Sequence, residues 1–328
     1  MKVISAIIGT GVGTKHLQAI ENYKGSKVKI ICEKDKKKIL LLRKKYPHKI
    51  ITQNENIIFN DKEINLVSIA SYDNFHFSQI KKSIKNKKNI IVEKPMCLTS
   101  KELKKIKVLI KNSKNKVNIT SNLVLRVNSL FKKIKSKIDI NKVYYIEGDY
   151  IWGRKKKLFG WRSKIKDYTV TLGAGIHIID LIMWLTGKRP ISVYAVGNKI
   201  STNGTKFKRE SLIVMIFKFP GDLIAKITAN AGAVYDHFHE LKVFSLDKTL
   251  VNSRLGSFGY EKNKFVKIKG LYPDKLNRKK LIRDFIDSLK EKKKKHMISF
   301  REQLDLMSVC FAVEKALKQK KQVKINYI

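Results

Sequence analysis

Between residue 2 and about residue 120, short β-branched apolar runs alternate with longer polar stretches whose apolar positions recur every three or four residues. That rhythm predicts strands at 3–8, 28–32, 50–52, 66–70, 89–92 and 117–120, with amphipathic helices at 16–23, 36–46, 75–84 and 100–111 between them. Thr99 or Ser100 is the expected cap of the last helix. Strands and helices in strict alternation form a parallel sheet wound on both faces, so 1–120 is expected to be a Rossmann-type domain. After residue 122 the pattern changes. A helix at 127–138 leads into extended segments at 142–152, 191–199, 210–219, 223–229 and 240–245, with helices only at 175–186, 278–290 and 300–319. Extended segments without crossover helices pair antiparallel and keep one face open, so 121–328 is expected to be an α+β domain with a mostly antiparallel open sheet.

The length agrees with two domains, since 328 residues is about twice the ~150 of a common single domain. No run approaches the ~18 apolar residues of a membrane span, and the first residues enter a strand without a leader pattern. The expected location is the cytoplasm, with no membrane partner. The charge is unusual: 71 basic against 27 acidic residues, a net +44. Only 10 of the 71 are Arg, whereas base and phosphate recognition favours the guanidinium fork. The Lys residues are spread over the whole chain, with short runs at 36–38, 155–157 and 292–295, as on a solvated surface. No specific nucleic-acid partner is assigned. Cys32, Cys97 and Cys310 lie far apart, match no metal spacing and suit a reducing compartment. His237 and His239 share a strand face, but no Cys or third His accompanies them in sequence, so no metal is assigned.

Three clusters carry chemistry. Gly9, Thr10, Gly11, Val12 and Gly13 lie at the first strand-to-helix turn, where glycines let a pyrophosphate approach backbone N–H groups. The spacing is irregular, because Thr14 stands where a third glycine belongs. Glu33, 22 residues after Gly11, ends the second strand, where a carboxylate binds ribose hydroxyls and repels a 2′-phosphate. NAD is therefore favoured over NADP, although Lys34 and Lys36 act the other way. Glu93-Lys94-Pro95 follows the fifth strand, and Lys94 there faces the ligand crevice of such a sheet. Lys94 reads either as a surface lysine or as an acid/base group. Trp161-Arg162 precedes a glycine-rich segment ending in His177 and Asp180; His177 is suited to taking an alcohol proton, or serves as a capping residue.

With Ser71-Tyr72-Asp73-Asn74-Phe75-His76 and the segment from Asn122 to Arg126, these motifs resemble the Gfo/Idh/MocA oxidoreductases, the group of glucose-fructose oxidoreductase and inositol dehydrogenase. The resemblance covers nearly the whole chain. It implies an N-terminal NAD(P)-binding domain and a C-terminal domain whose open sheet mediates a homo-oligomer, dimer or tetramer. It places Lys94 and His177 as the catalytic pair. The cofactor contacts are then Gly9 to Gly13, Glu33, Ser71, Asn74, His76, Glu93, Lys94 and Arg162. Arg126, Trp161 and Asp180 are assigned to a sugar-like substrate. Gly173 departs from the pattern, since many sugar dehydrogenases of the family carry Asp there. The expected activity is hydride transfer between NAD(P) and a hydroxyl-bearing carbon of a sugar, sugar nucleotide or cyclitol. The alternatives are an NAD-dependent glycoside hydrolase of the same family and a non-catalytic nucleotide-binding sensor.

Overall fold

The computed structural model describes residues 2–114, 116–291 and 294–328; Lys292 and Lys293, from the last basic run, lie outside them. Strands β1 to β6 are Val3–Ile8, Ser26–Cys32, Ile50–Thr52, Leu66–Ile69, Asn89–Val92 and Ile119–Ser121. Strands β7 to β11 are Val143–Ile151, Ser192–Asn198, Leu212–Lys218, Ile224–Asn230 and Phe238–Ser245. Strands β12 to β15 are Lys248–Ser253, Gly256–Glu261, Lys264–Lys267 and Val323–Lys324. Helices α1 to α5 are Gly13–Glu21, Lys36–Lys45, Asn56–Asn60, His76–Lys85 and Ser100–Asn112. Helices α6 to α9 are Ser129–Lys137, Ile176–Thr186, Asn277–Lys290 and Phe300–Gln319.

The chain divides into two packed units, Met1–Asn122 with Lys275–Leu304, and Leu123–Asp274 with Asp305–Ile328. The first break falls close to the expected boundary near 120. The segment 275–304, expected with the second domain, instead packs with the first. The reason lies on α8, whose Ile282, Phe285 and Ile286 join Val3, Leu17, Ile20 and Val28 in one core cluster.

The first unit is a six-stranded parallel sheet in the order β3-β2-β1-β4-β5-β6. Strands β4 and β5 are buried along their whole length, as their Val and Ile content requires for strands covered on both faces. The order reverses direction between β1 and β4, and ligands of such sheets bind beyond the carboxyl ends of the strands at that point. Thr99 caps α5 in a reciprocal box: its hydroxyl accepts from the Glu102 N–H, and the Glu102 carboxylate accepts from the Thr99 N–H.

The second unit is a nine-stranded sheet in the order β14-β13-β12-β11-β7-β10-β9-β8-β15. Only β10 and β7 pair parallel; the remaining pairs are antiparallel. Gly148 sets how closely α7 approaches β7, because a Cβ there would stand 2.4 Å from Cγ2 of Ile178. A five-residue π-helix, Thr171–Gly175, runs directly into α7. All three cysteines are buried and free. Among the described residues, no helix is long and apolar enough to cross a membrane.

Candidate cofactor and catalytic residues

In the first unit the turn after β1 is built around Gly9, which has φ +85° and would put a Cβ 2.5 Å from the Ala70 carbonyl oxygen and 2.9 Å from Cα of Ser71. The ends of β1 and β4 are thereby pressed together. Gly11 differs: a Cβ there would meet nothing within 4 Å, and both it and Val12 are exposed. The open space above Gly11 admits a ligand backbone. Helix α1 starts without a side-chain cap, so its first N–H groups face that space as an anion site.

Glu33 sits at the end of β2 with only 8% exposure. One carboxylate oxygen accepts from the Thr10 N–H at 3.0 Å and from the Thr10 hydroxyl; the other accepts from the N–H groups of Lys34 at 2.8 Å and Asp35 at 3.1 Å. Burial alone would raise its pKa, but the Thr10 hydroxyl and these backbone donors outweigh burial and hold the carboxyl below its usual range. Glu33 is an anion that braces the glycine turn. An open Gly11, an uncapped α1 and an anionic Glu33 together fit a dinucleotide with free ribose hydroxyls.

The loop after β4 contributes Ser71, whose hydroxyl donates to Gln79 at 2.7 Å, and Asn74, which is exposed in the 3-10 turn Asp73–Phe75. Lys34 lies 4.6 Å over the Phe75 ring. Two further residues expected at the cofactor, His76 and Glu93, make hydrogen bonds within the protein. His76 is fully buried, with Nδ1 2.7 Å from the Pro95 carbonyl and Nε2 3.3 Å from the Ser71 carbonyl. It ties together the loops after β4 and β5. Glu93 accepts from His16 Nε2 at 3.0 Å and from the Asn122 amide, with Arg278 Nε 3.5 Å away. It joins α1, the end of β6 and α8. Lys94, half-buried at the end of β5, thus stands on a turn fixed by Glu93 on one side and Pro95 on the other.

Burial would raise the Glu93 carboxyl, but the His16 hydrogen bond and the charges of Arg278, His16 and Lys94 together hold it far below the usual range. A depressed folded pKa gives stability that is present above the unfolded value of about 4.3 and lost as pH falls. Glu93→Gln should therefore unfold with about 2 kcal/mol less stability at pH 7 and a shallower loss of stability below pH 4.5 than the parent. Melting curves from pH 7 to pH 2.5 measure both, and parallel curves would refute the role.

The second unit gathers aromatic rings around His177, in the first turn of α7. Gly148 and Tyr150 lie two apart on β7 and share its face. With α7 seated on Gly148, the His177 ring stacks on Tyr150, centroids 5.7 Å apart and planes 9° apart. Strand β11 pairs His239 with Tyr150 and brings in His237; the His239 ring is 4.8 Å from Tyr150, 4.7 Å from His237 and 6.1 Å from His177. A third histidine does accompany His237 and His239, contrary to the sequence expectation, because α7 delivers it from 60 residues away. Among the described residues, no group of three His, Cys, Asp or Glu is arranged to hold a metal ion.

Tyr150 carries no motif and was missed; His237 and His239 show in the sequence only as a pair on one strand face, and they join Tyr150 once the pairing of β7 with β11 is known. Burial pushes the Tyr150 hydroxyl up to about 12. Burial, followed by the Arg154 charge, pushes His237 down to about 4, and burial takes His239 well below its usual value. Tyr272 accepts from the backbone N–H of His239 at 3.0 Å, and its hydroxyl also hydrogen-bonds Nδ1 of the same residue.

Arg126 and Asp180, assigned from sequence to substrate, face each other: the Asp180 carboxylate accepts from Arg126 Nε at 3.0 Å and from Nη2 at 2.6 Å, both side chains being nearly inaccessible. The pair joins the 3-10 turn Val124–Val127 to α7. Arg162 lies 4.1 Å over the Trp161 ring and 5.5 Å from Trp152. Gly173 has a steric cause, since a Cβ there would stand 1.9 Å from the hydroxyl oxygen of the buried Tyr168. Tyr168 fills the space that a side chain at 173 would need.

Residues 4–121 match the family model described as "Oxidoreductase family, NAD-binding Rossmann fold", and residues 131–251 match the GFO/IDH/MocA C-terminal domain. The chain is 24% identical to the uncharacterized oxidoreductase YrbE of Bacillus subtilis over 250 residues, 74% of this chain and 71% of that protein. The fold is shared with myo-inositol 2-dehydrogenase from Lactobacillus plantarum at a TM-score of 0.86 and 19% identity, covering 99% of this chain and 100% of the other. It is also shared with scyllo-inositol dehydrogenase from Lactobacillus casei, solved with NAD(H) and scyllo-inositol, at a TM-score of 0.82 and 16% identity, covering 99% of each chain.

Proposed function

The chain belongs to the GFO/IDH/MocA oxidoreductase family with an NAD-binding Rossmann domain, and from that premise we propose that it oxidises a hydroxyl-bearing carbon of a sugar, sugar nucleotide or cyclitol. The observation that carries this proposal is the turn at Gly9 to Gly13, closed inside by Ala70 and open outside above Gly11, with the Glu33 anion beneath it. Bound there, NAD supplies the hydride acceptor. The residues of the chain supply the rest. The first turn of α1 and the glycine loop receive the pyrophosphate, Glu33 meets the adenosine ribose, and the Ser71 to Asn74 loop lines the same strand ends. Lys94 polarises the substrate oxygen and His177 takes the hydroxyl proton; in the reverse direction protonated His177 returns that proton to the alkoxide oxygen while Lys94 stabilises its charge. A carboxylate at position 33 favours NAD over NADP. Two of the proteins that share the fold are inositol dehydrogenases by name, which is in keeping with a polyol as the substrate class.

Purified protein with NAD, presented with free sugars, inositols, sugar phosphates and sugar nucleotides, should accumulate NADH with one of these classes. Release of free sugar from a glycoside without net NADH would move the assignment to the hydrolase alternative. Glu33→Ser should weaken NAD binding about tenfold and bring NADP to a comparable Kd, since it removes both the ribose partner and the charge that repels a 2′-phosphate. Unchanged discrimination would remove Glu33 from the cofactor site.

A further inference from the structure

The chain meets nearly all its need for positive charge with Lys, carrying 61 Lys and 10 Arg. Two of those ten Arg, at positions 154 and 254, act with Lys157 on one histidine, His237, and a third, Arg162, acts on its neighbours Tyr150 and Lys157. The backbone explains why they meet. After β7 the chain turns at Gly153, with φ +59°, where a Cβ would stand 1.8 Å from the Tyr235 carbonyl oxygen, so the 153–164 segment lies against the start of β11. Arg154 and Lys157 are on that segment, both exposed, and Arg162 closes it on the Trp161 ring. Arg254, at the β12–β13 turn, stacks on Tyr235 at 4.1 Å.

Among the described residues, no carboxylate lies within ion-pair distance of Arg154, Lys157 or Arg162; Arg254 has Asp236, an almost fully exposed residue 3.9 Å away, and feels the charge of Glu240. Like charges held together without anions repel, and the repulsion is visible on Lys157. Burial, then Arg154 and Arg162, lower its pKa. An anionic ligand relieves that repulsion. A guanidinium matches a carboxylate or a phosphate with two parallel hydrogen bonds, which an ammonium does not. His237 adds a second feature. Its Nδ1 donates to the Ile151 carbonyl at 3.0 Å, so in the neutral ring Nε2 is a bare acceptor, suited to a ligand hydroxyl. His237 and His177 flank Tyr150, at 5.1 Å and 5.7 Å between ring centroids.

Building on the role of His177 given above, we propose that the substrate carries an oxyanion, a carboxylate or a phosphate, bound by Arg154 and Lys157 while His237 Nε2 accepts one of its hydroxyls. The substrate class narrows from polyols in general to acidic or phosphorylated ones. Uniform surface charge would give a different result, since any exposed Lys pair would then serve equally well.

The test is equilibrium binding to the full-length protein saturated with NADH. The probes are D-glucose, D-glucuronate, glucose 6-phosphate and inorganic phosphate, at 20 mM and 300 mM NaCl. At least one oxyanion probe should bind ten times or more tighter than D-glucose, and the preference should shrink with salt. Tight glucuronate with weak phosphate identifies a carboxylate; the converse identifies a phosphate. Arg154→Met with Lys157→Met should abolish the preference, whereas Lys104→Met with Lys105→Met on α5, an equal loss of charge elsewhere, should keep it. Equal binding of glucose and every oxyanion, or an equal loss in both double variants, overturns the proposal. NADH binding read by its fluorescence is separate: its absence would refute the cofactor site, not the oxyanion site.

Discussion

His177→Ala should lower kcat by a factor of about 10²–10⁴, the usual worth of a positioned general base, while leaving the Kd for NAD within about twofold. The two outcomes separate because His177 and the glycine turn belong to different packed units. Its surroundings make the test clean. Burial pushes His237 down to about 4, His239 well below its usual value and Tyr150 up to about 12, so neither His237 nor Tyr150 changes charge between pH 5 and 8. Any limb of the kcat/KM profile in that interval which disappears in His177→Ala is therefore not theirs. Lys94→Ala should give a loss of similar size. Full turnover by either variant on the physiological substrate would remove that residue from the mechanism. Tyr150→Phe keeps the ring under His177 and should retain most of kcat, whereas Tyr150→Ala removes the ring and should not.

The second large effect concerns stability. Asp180→Ala removes the buried counter-charge that faces the Arg126 guanidinium, at a cost of about 3–5 kcal/mol. For a unit of this size that corresponds to a fall in Tm of roughly 10 °C. Arg126→Met combined with Asp180→Leu removes both charges and should recover most of the loss, because two apolar side chains need no partner. Thermal and urea unfolding of the single and double variants measure this directly. A stable Asp180→Ala protein with only a raised KM would instead return Asp180 to the substrate, as its sequence motif suggests.

What could be read from the chain was local in origin. The strand-helix alternation, the Thr99 cap and the boundaries of α9 follow from periodicity and one capping residue. The glycine turn and the Glu93-Lys94-Pro95 segment follow from their place at strand ends. Strands β12 to β14 went unseen because each is only four to six residues long and its apolar residues, such as Leu250 and Val251, Phe258, or Phe265 and Val266, are flanked by polar residues and glycine. The β13–β14 turn also lacks the usual Asn-Gly signal, since Lys262 and Asn263 carry its positive φ angles of 48° and 62°. The return of α8 to the first unit was invisible because an amphipathic pattern shows that a face is buried but not against what. The same limit hid the Arg126–Asp180 pair, 54 positions apart, and the stacking of Tyr150 with His177. Motif logic assigned Glu93 and His76 to a ligand; only the three-dimensional arrangement shows the protein groups they hold.

Tyr168 and Gly173 form a mutational lock. With the phenol in place, any side chain at 173 collides with it, so a carboxylate cannot be gained there by one replacement. Removing the phenol first empties a buried site, and losses of large aromatic side chains cost about 3–5 kcal/mol. Each single step is thus costly, and the joint exchange of both residues is the cheaper route between the two arrangements. A chain that holds Tyr168 opposite Gly173 has filled with a phenol the room that a carboxylate at 173 would occupy.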